Sequence, residues 1–82
     1  MKKMKLESGN YVFFPQKPIN ITKGLELWEI HKIYGLSKQI PITKKDFERL
    51  RKQKSEVVFV KKEPYIFGVI KGQYALIKIE RI

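Results

Sequence analysis

Two runs, Val57–Val60 and Tyr65–Ile70, are apolar at nearly every position instead of at alternate ones. A strand with one wet face alternates, whereas one apolar on both faces needs cover on both. Such strands belong in the middle of a sheet or in the wall of a barrel. Between Ile70 and Gln73, Lys71-Gly72 reads as a tight turn, with Gly72 supplying the positive φ, so that Gln73–Ile79 returns antiparallel. Lys61-Lys62-Glu63-Pro64 reads as a looser loop joining the first two strands. The chain is therefore committed to a sheet whose central strands lie at its end.

The remaining elements must cover that sheet. Tyr11–Phe14 is a short aromatic strand stopped by Pro15, and residues 15–24 (PQKPINITKG) form a loop. Residues 1–9 read as a flexible basic lead-in closed by Ser8-Gly9. The stretch LELWEIHKIYGL, residues 25–36, fits two periods. As a helix it places Leu27, Ile30, Ile33 and Tyr34 on one stripe, with Gly35 as the stop. As a strand it sets Leu25, Leu27 and Ile33 on one face, and the glycines at 24 and 35 suit a hairpin arm. Its aromatic and β-branched residues favour the strand. Ser37–Ile42 is extended because Pro41 prevents a helix from passing through it. Thr43 then has the character of an N-cap, with Asp46 three residues on in a capping-box-like arrangement, and a helix runs from about 44 to 54.

The expected fold is a single α+β domain spanning residues 1–82. It has a small antiparallel sheet of four to six strands, in one variant a partly closed barrel, and one short basic helix at about 44–54. A winged helix is the alternative if 25–34 is helical and the closing hairpin is the wing. The expected core contains Phe47, Leu50, Val58, Phe59, Phe67 and Ile77.

Catalysis has little to draw on. There is no cysteine, one histidine (His31) and one aspartate (Asp46), which already sits at the first turn of the expected helix. His31 has no metal-ligating partner at i+3 or i+4, and serines 8, 37 and 55 lie in no nucleophile context. The five glycines form no phosphate-cradling loop. The reading is a non-enzyme with no cofactor and no metal. No apolar run approaches the roughly 18 residues that cross a bilayer, and a cytoplasmic location is expected.

Charge is the positive signal. Eighteen Lys and Arg against eight Asp and Glu give a net +10, and six of the basic residues fall between Lys44 and Lys54. With Phe47 and Leu50 inward, Lys45, Arg49 and Lys52 form an outward stripe flanked by Lys44 and Arg51. Asp46 near the start and Arg51, Lys52 and Lys54 near the end also suit the helix dipole, and Glu48 stands at i,i+4 from Lys52. A solvated face thus accounts for the order of these charges but not for their number. Lys38, Lys61 and Lys62 adjoin the helix in sequence. Among the aromatic residues, Tyr11, Phe13, Trp28, Tyr34, Tyr65 and Tyr74 are potential stacking platforms, although apolar alternation assigns most of them to the core. Trp28, between Glu26 and Glu29, is the one singled out.

The candidate nucleic-acid site is therefore Lys38, Lys44, Lys45, Arg49, Arg51, Lys52, Lys61, Lys62 and Trp28, on DNA or RNA. Fifteen lysines against three arginines point to contact with the phosphate backbone in preference to base edges. The alternative is a small interaction, inhibitor or accessory-subunit protein docking on an acidic protein surface, with a homodimer as a further option.

Overall fold

The computed structural model describes residues 2–81. Its elements follow the chain as β1 (Lys3–Lys5), β2 (Tyr11–Phe13), α1 (Leu27–Tyr34), β3 (Leu36–Pro41), α2 (Lys44–Arg51), β4 (Val57–Val60), β5 (Glu63–Ile70) and β6 (Gln73–Ile79). The strands make one antiparallel sheet in the order β1-β2-β4-β5-β6-β3. Its two ends, β1 and β3, are not joined to each other, so the sheet is open and the barrel variant does not apply. The two apolar runs, in β4 and β5, lie in its middle, as their two-sided patterning requires, with β6 next to them.

Both faces are packed, by different elements. On one face, Leu50 of α2 meets Leu6, Val12, Phe14, Val58, Val60, Tyr65 and Leu76. On the other, Ile30 of α1 meets Val57, Ile66, Ile77 and Ile79, with Ile19, Ile21 and Leu25 of the preceding loop laid alongside. Alternation along β4 makes the division visible: Val57 and Phe59 belong to the second cluster, Val58 and Val60 to the first. Of the six expected core residues, Leu50, Val58 and Ile77 are buried, while Phe47, Phe59 and Phe67 are half-buried. Phe47 sits edge-on to Phe67 at 5.8 Å and against Tyr74 at 4.6 Å, which seats α2 over β5 and β6.

Three expectations are corrected. Residues 27–34 are helical, not a strand, so the protein has two helices where one was expected. The helix wins because Ile30 and Tyr34, one turn apart, reach the second cluster while Trp28 faces outward. Period 3.6 makes that division, and period 2, which sets all three on one face, does not. Leu27 and Ile33, expected on the same helical stripe, are exposed instead. The amide of Glu26 is capped by the Glu29 carboxylate at 3.0 Å, and Gly35, at φ +70°, ends the helix by donating to the His31 carbonyl at 2.9 Å. The winged-helix alternative fails all the same, because β5 and β6 are central strands of a six-stranded sheet and do not form a projecting wing.

The lead-in is the second correction. Lys3–Lys5 pairs with Tyr11–Phe13, and Leu6 is buried. The third concerns the cap of α2. Thr43 accepts from the Asp46 amide at 3.1 Å as expected, but the Asp46 carboxylate does not return to Thr43. It is buried and accepts from the Glu7 amide at 3.0 Å, tying the β1–β2 hairpin to the start of α2. The Thr43 hydroxyl donates to the Glu7 carboxylate, and Arg49 donates to the Lys5 carbonyl at 3.1 Å. Buried Ser55 makes a second tether: it accepts from the Ile19 amide at 3.1 Å and donates to the Val57 carbonyl at 2.7 Å. Helix α2 ends at Arg51, three residues short of the expected 54.

Candidate nucleic-acid interface

The expected site residues do not converge on one surface. Lys44, Lys45 and Lys52 are exposed along α2, which covers the first face of the sheet. Arg49, expected to point straight outward with them, is turned instead toward Lys5 and lies 3.4 Å from Asp46. Arg51 lies 5.9 Å from the centre of the Phe47 ring and 3.8 Å from Glu48. Glu48 thus faces Arg51 at i,i+3, not the expected Lys52 at i,i+4, and an exposed pair of this length contributes little to stability. Lys38 projects from the β3 edge. There it adds a weaker attraction at Glu63, whose carboxyl is held below its ordinary value mainly by the Lys78 ammonium bonded to it at 2.7 Å.

Trp28 and the turn lysines belong to the opposite side. The indole of Trp28 is 60% exposed on α1, with Lys32 one turn on at 5.1 Å from its ring, beside a groove that β3 also lines. Lys61 and Lys62 form the β4–β5 turn. Val60 pairs with Glu63, so only these two residues lie between the strands, and both take positive φ, 51° and 67°. Two consecutive positive φ values are the signature of a type I′ turn, which favours Asn-Gly. The sequence reading placed a four-residue loop at 61–64 and not this two-residue turn, because neither lysine carries the Asn-Gly signal, whereas Lys71-Gly72, built in the same way, has the glycine.

Sequence reading named Arg51, Lys52, Lys61 and Lys62 as site residues and Tyr11 and Phe13 as potential stacking platforms, but not the two groups into which the fold brings them. Lys2, Lys23 and Lys54 join Arg51 and Lys52 around two adjoining grooves at the end of α2, of ≈ 420 and ≈ 550 Å³. The second group lies on the sheet itself. The register sets Lys3 beside Phe13, Phe13 beside Phe59, and Lys5 beside Tyr11. Met4 and Val12, the alternate residues, point into the first cluster, so these side chains all stand on the second face. Helix α1 and its loop cover that face only from β4 toward β3, and the cluster they build includes no residue of β1 or β2. Phe13 and Phe59, with Lys61 and Lys62 at the lip, line an open groove of ≈ 550 Å³. Tyr11 is 43% exposed, and the ammonium groups of Lys3 and Lys5 stand 5.0 and 6.0 Å from its ring. At an exposed ring each such contact is worth about 0.5–1 kcal/mol.

The electrostatics follow from how few of these cations are neutralised. Among the described residues, only Arg49, Arg51 and Lys78 reach a carboxylate. No three His, Cys, Asp or Glu side chains are grouped there to hold a metal ion, and no helix is long and apolar enough to cross a membrane. Compared with protein-family models, curated proteins and solved structures, the chain matches none of them.

Proposed function

We propose that this chain is a small, non-catalytic nucleic-acid-binding protein that holds its ligand mainly by the phosphate backbone. The observation that carries the reading is the uncompensated charge: a net +10 with three cation–carboxylate pairs among the described residues. Interspersed charge suffices for solubility, whereas a large excess of one sign attracts polyanions and speeds their capture. Lysine predominance suits phosphate contact, since a flexible ammonium neutralises charge without the bidentate fork that reads guanine.

Fluorescence anisotropy with labelled duplex DNA, single-stranded DNA and RNA tests this. Binding is expected in about 50 mM salt below ~100 μM protein, the weak end of ordinary non-specific affinity. With about six phosphates contacted, duplex affinity should fall roughly 10³-fold or more between about 50 and 200 mM salt. Absence of binding to all three at low salt would overturn the reading and leave an acidic protein surface as the partner that the charge fits.

A further inference from the structure

We propose that Tyr11, Phe13 and Phe59 form a stacking surface for single-stranded nucleic acid, with Lys3, Lys5, Lys61 and Lys62 as its phosphate contacts. The inference rests on the nucleic-acid reading above and narrows it to one face of the sheet and one form of ligand. A bare apolar groove names no occupant. This one has Lys61 and Lys62 at its lip, and the register sets Lys3 of β1 beside Phe13, so its occupant combines apolar faces with negative charge. Unpaired bases on a phosphate chain have that composition, and every base offers a π-face to an aromatic ring. A duplex does not, because its base faces are already stacked on one another.

Spacing favours the same ligand. Tyr11 and Phe13 are two residues apart on one strand, about 7 Å at the usual rise. Stacked nucleotides advance about 3.4 Å along each strand, so neighbouring bases reach both rings only when drawn apart. The lysines above Tyr11 are free to swing onto phosphates, since neither has a carboxylate partner among the described residues.

A plainer account explains part of this. Lysines on an edge strand discourage sheet-to-sheet aggregation, and Lys3 and Lys5 on β1 serve that purpose. It does not explain why the half-buried Phe13 and Phe59 line a groove that no element covers, nor why the turn at their lip carries Lys62 at the position where the matching turn has Gly72. Residues kept at unfavourable φ cluster at ligand-binding sites, where the side chain is wanted more than the relaxed backbone.

The test compares a single-stranded oligonucleotide with a duplex of equal length, by anisotropy, for four proteins: the unaltered chain, Tyr11→Ala, Phe13→Leu and Lys45→Gln/Lys52→Gln. Phe13→Leu keeps the groove apolar while removing the ring, and circular dichroism checks that each variant is folded. Tyr11→Ala and Phe13→Leu are each expected to weaken single-strand binding about tenfold, with duplex binding changed less than about twofold. The substitutions on α2 should lower both affinities equally, through charge alone. If the ring variants bind the single strand as tightly as the unaltered chain, the stacking surface is wrong even though nucleic-acid binding stands. If the unaltered chain binds neither ligand at low salt, the broader reading fails and the stacking surface with it.

Discussion

Asp46 accepts from two segments at once, the Glu7 amide and the Arg49 guanidinium, while its own amide is capped by Thr43. Asp46 is buried, and its removal leaves the Glu7 N–H of a part-buried hydrogen bond without its partner. Asp46→Ala should cost about 2–4 kcal/mol by urea denaturation, with Asp46→Asn closer to the original because it keeps an acceptor. The loss should also weaken nucleic-acid binding, since the hairpin it anchors carries Lys3, Lys5, Tyr11 and Phe13. An unchanged midpoint in Asp46→Ala would refute the tether. Tyr65 makes a second prediction, on pH. Burial pushes its phenol above the ordinary value of 10.0. A folded pKa above the unfolded one means that the contribution is complete below about pH 10 and is lost as pH rises through the higher, folded value. The difference in stability between the unaltered protein and Tyr65→Phe should therefore be constant from neutral pH to about 9 and shift toward the Phe variant above about 10. A flat difference across that range would contradict the desolvation.

At the scale of elements, the β4–β5 turn is where stability and binding pull apart. Lys61→Asn with Lys62→Gly supplies the residues that a type I′ turn favours and should raise stability by roughly 1–2 kcal/mol. The same change removes two phosphate contacts, which should flatten the single-strand salt dependence by about 1.4 in log–log slope. A more stable protein with undiminished binding would show that the turn lysines serve no ligand. This turn also shows which elements could be read from sequence and which could not. The central strands were legible because covering both faces leaves no polar alternation, and α2 because Thr43, Asp46, Phe47 and Leu50 agree on one helix. Helix α1 was not: its N-cap is Glu26, a residue type with no strong capping signal, and its aromatic and β-branched content resembles a strand. Strand β1 is three residues of alternating lysine, too short and too polar to announce itself, and it is held by Leu6 and Asp46 from outside.

Across the whole molecule, the charge was legible but its placement was not. Counting residues gave a basic helix and nine site candidates. The fold sets them on both sides of a sheet, with α2 on one face and the turn lysines and Trp28 on the other. The neighbours Lys3-Phe13-Phe59 come from three different strands, a juxtaposition that only the register creates. Each face thus carries its own cations, and the proposed ligand belongs to the face that also carries Tyr11, Phe13 and Phe59. Backbone amide shifts in a ¹⁵N-labelled sample, titrated with a short single-stranded oligonucleotide at low salt, test that assignment most directly. The largest shifts are expected on Lys3, Lys5, Tyr11, Phe13, Phe59, Lys61 and Lys62, with those of Lys44–Lys52 small. Shifts concentrated on α2 with the β1–β2–β4 side silent would contradict it.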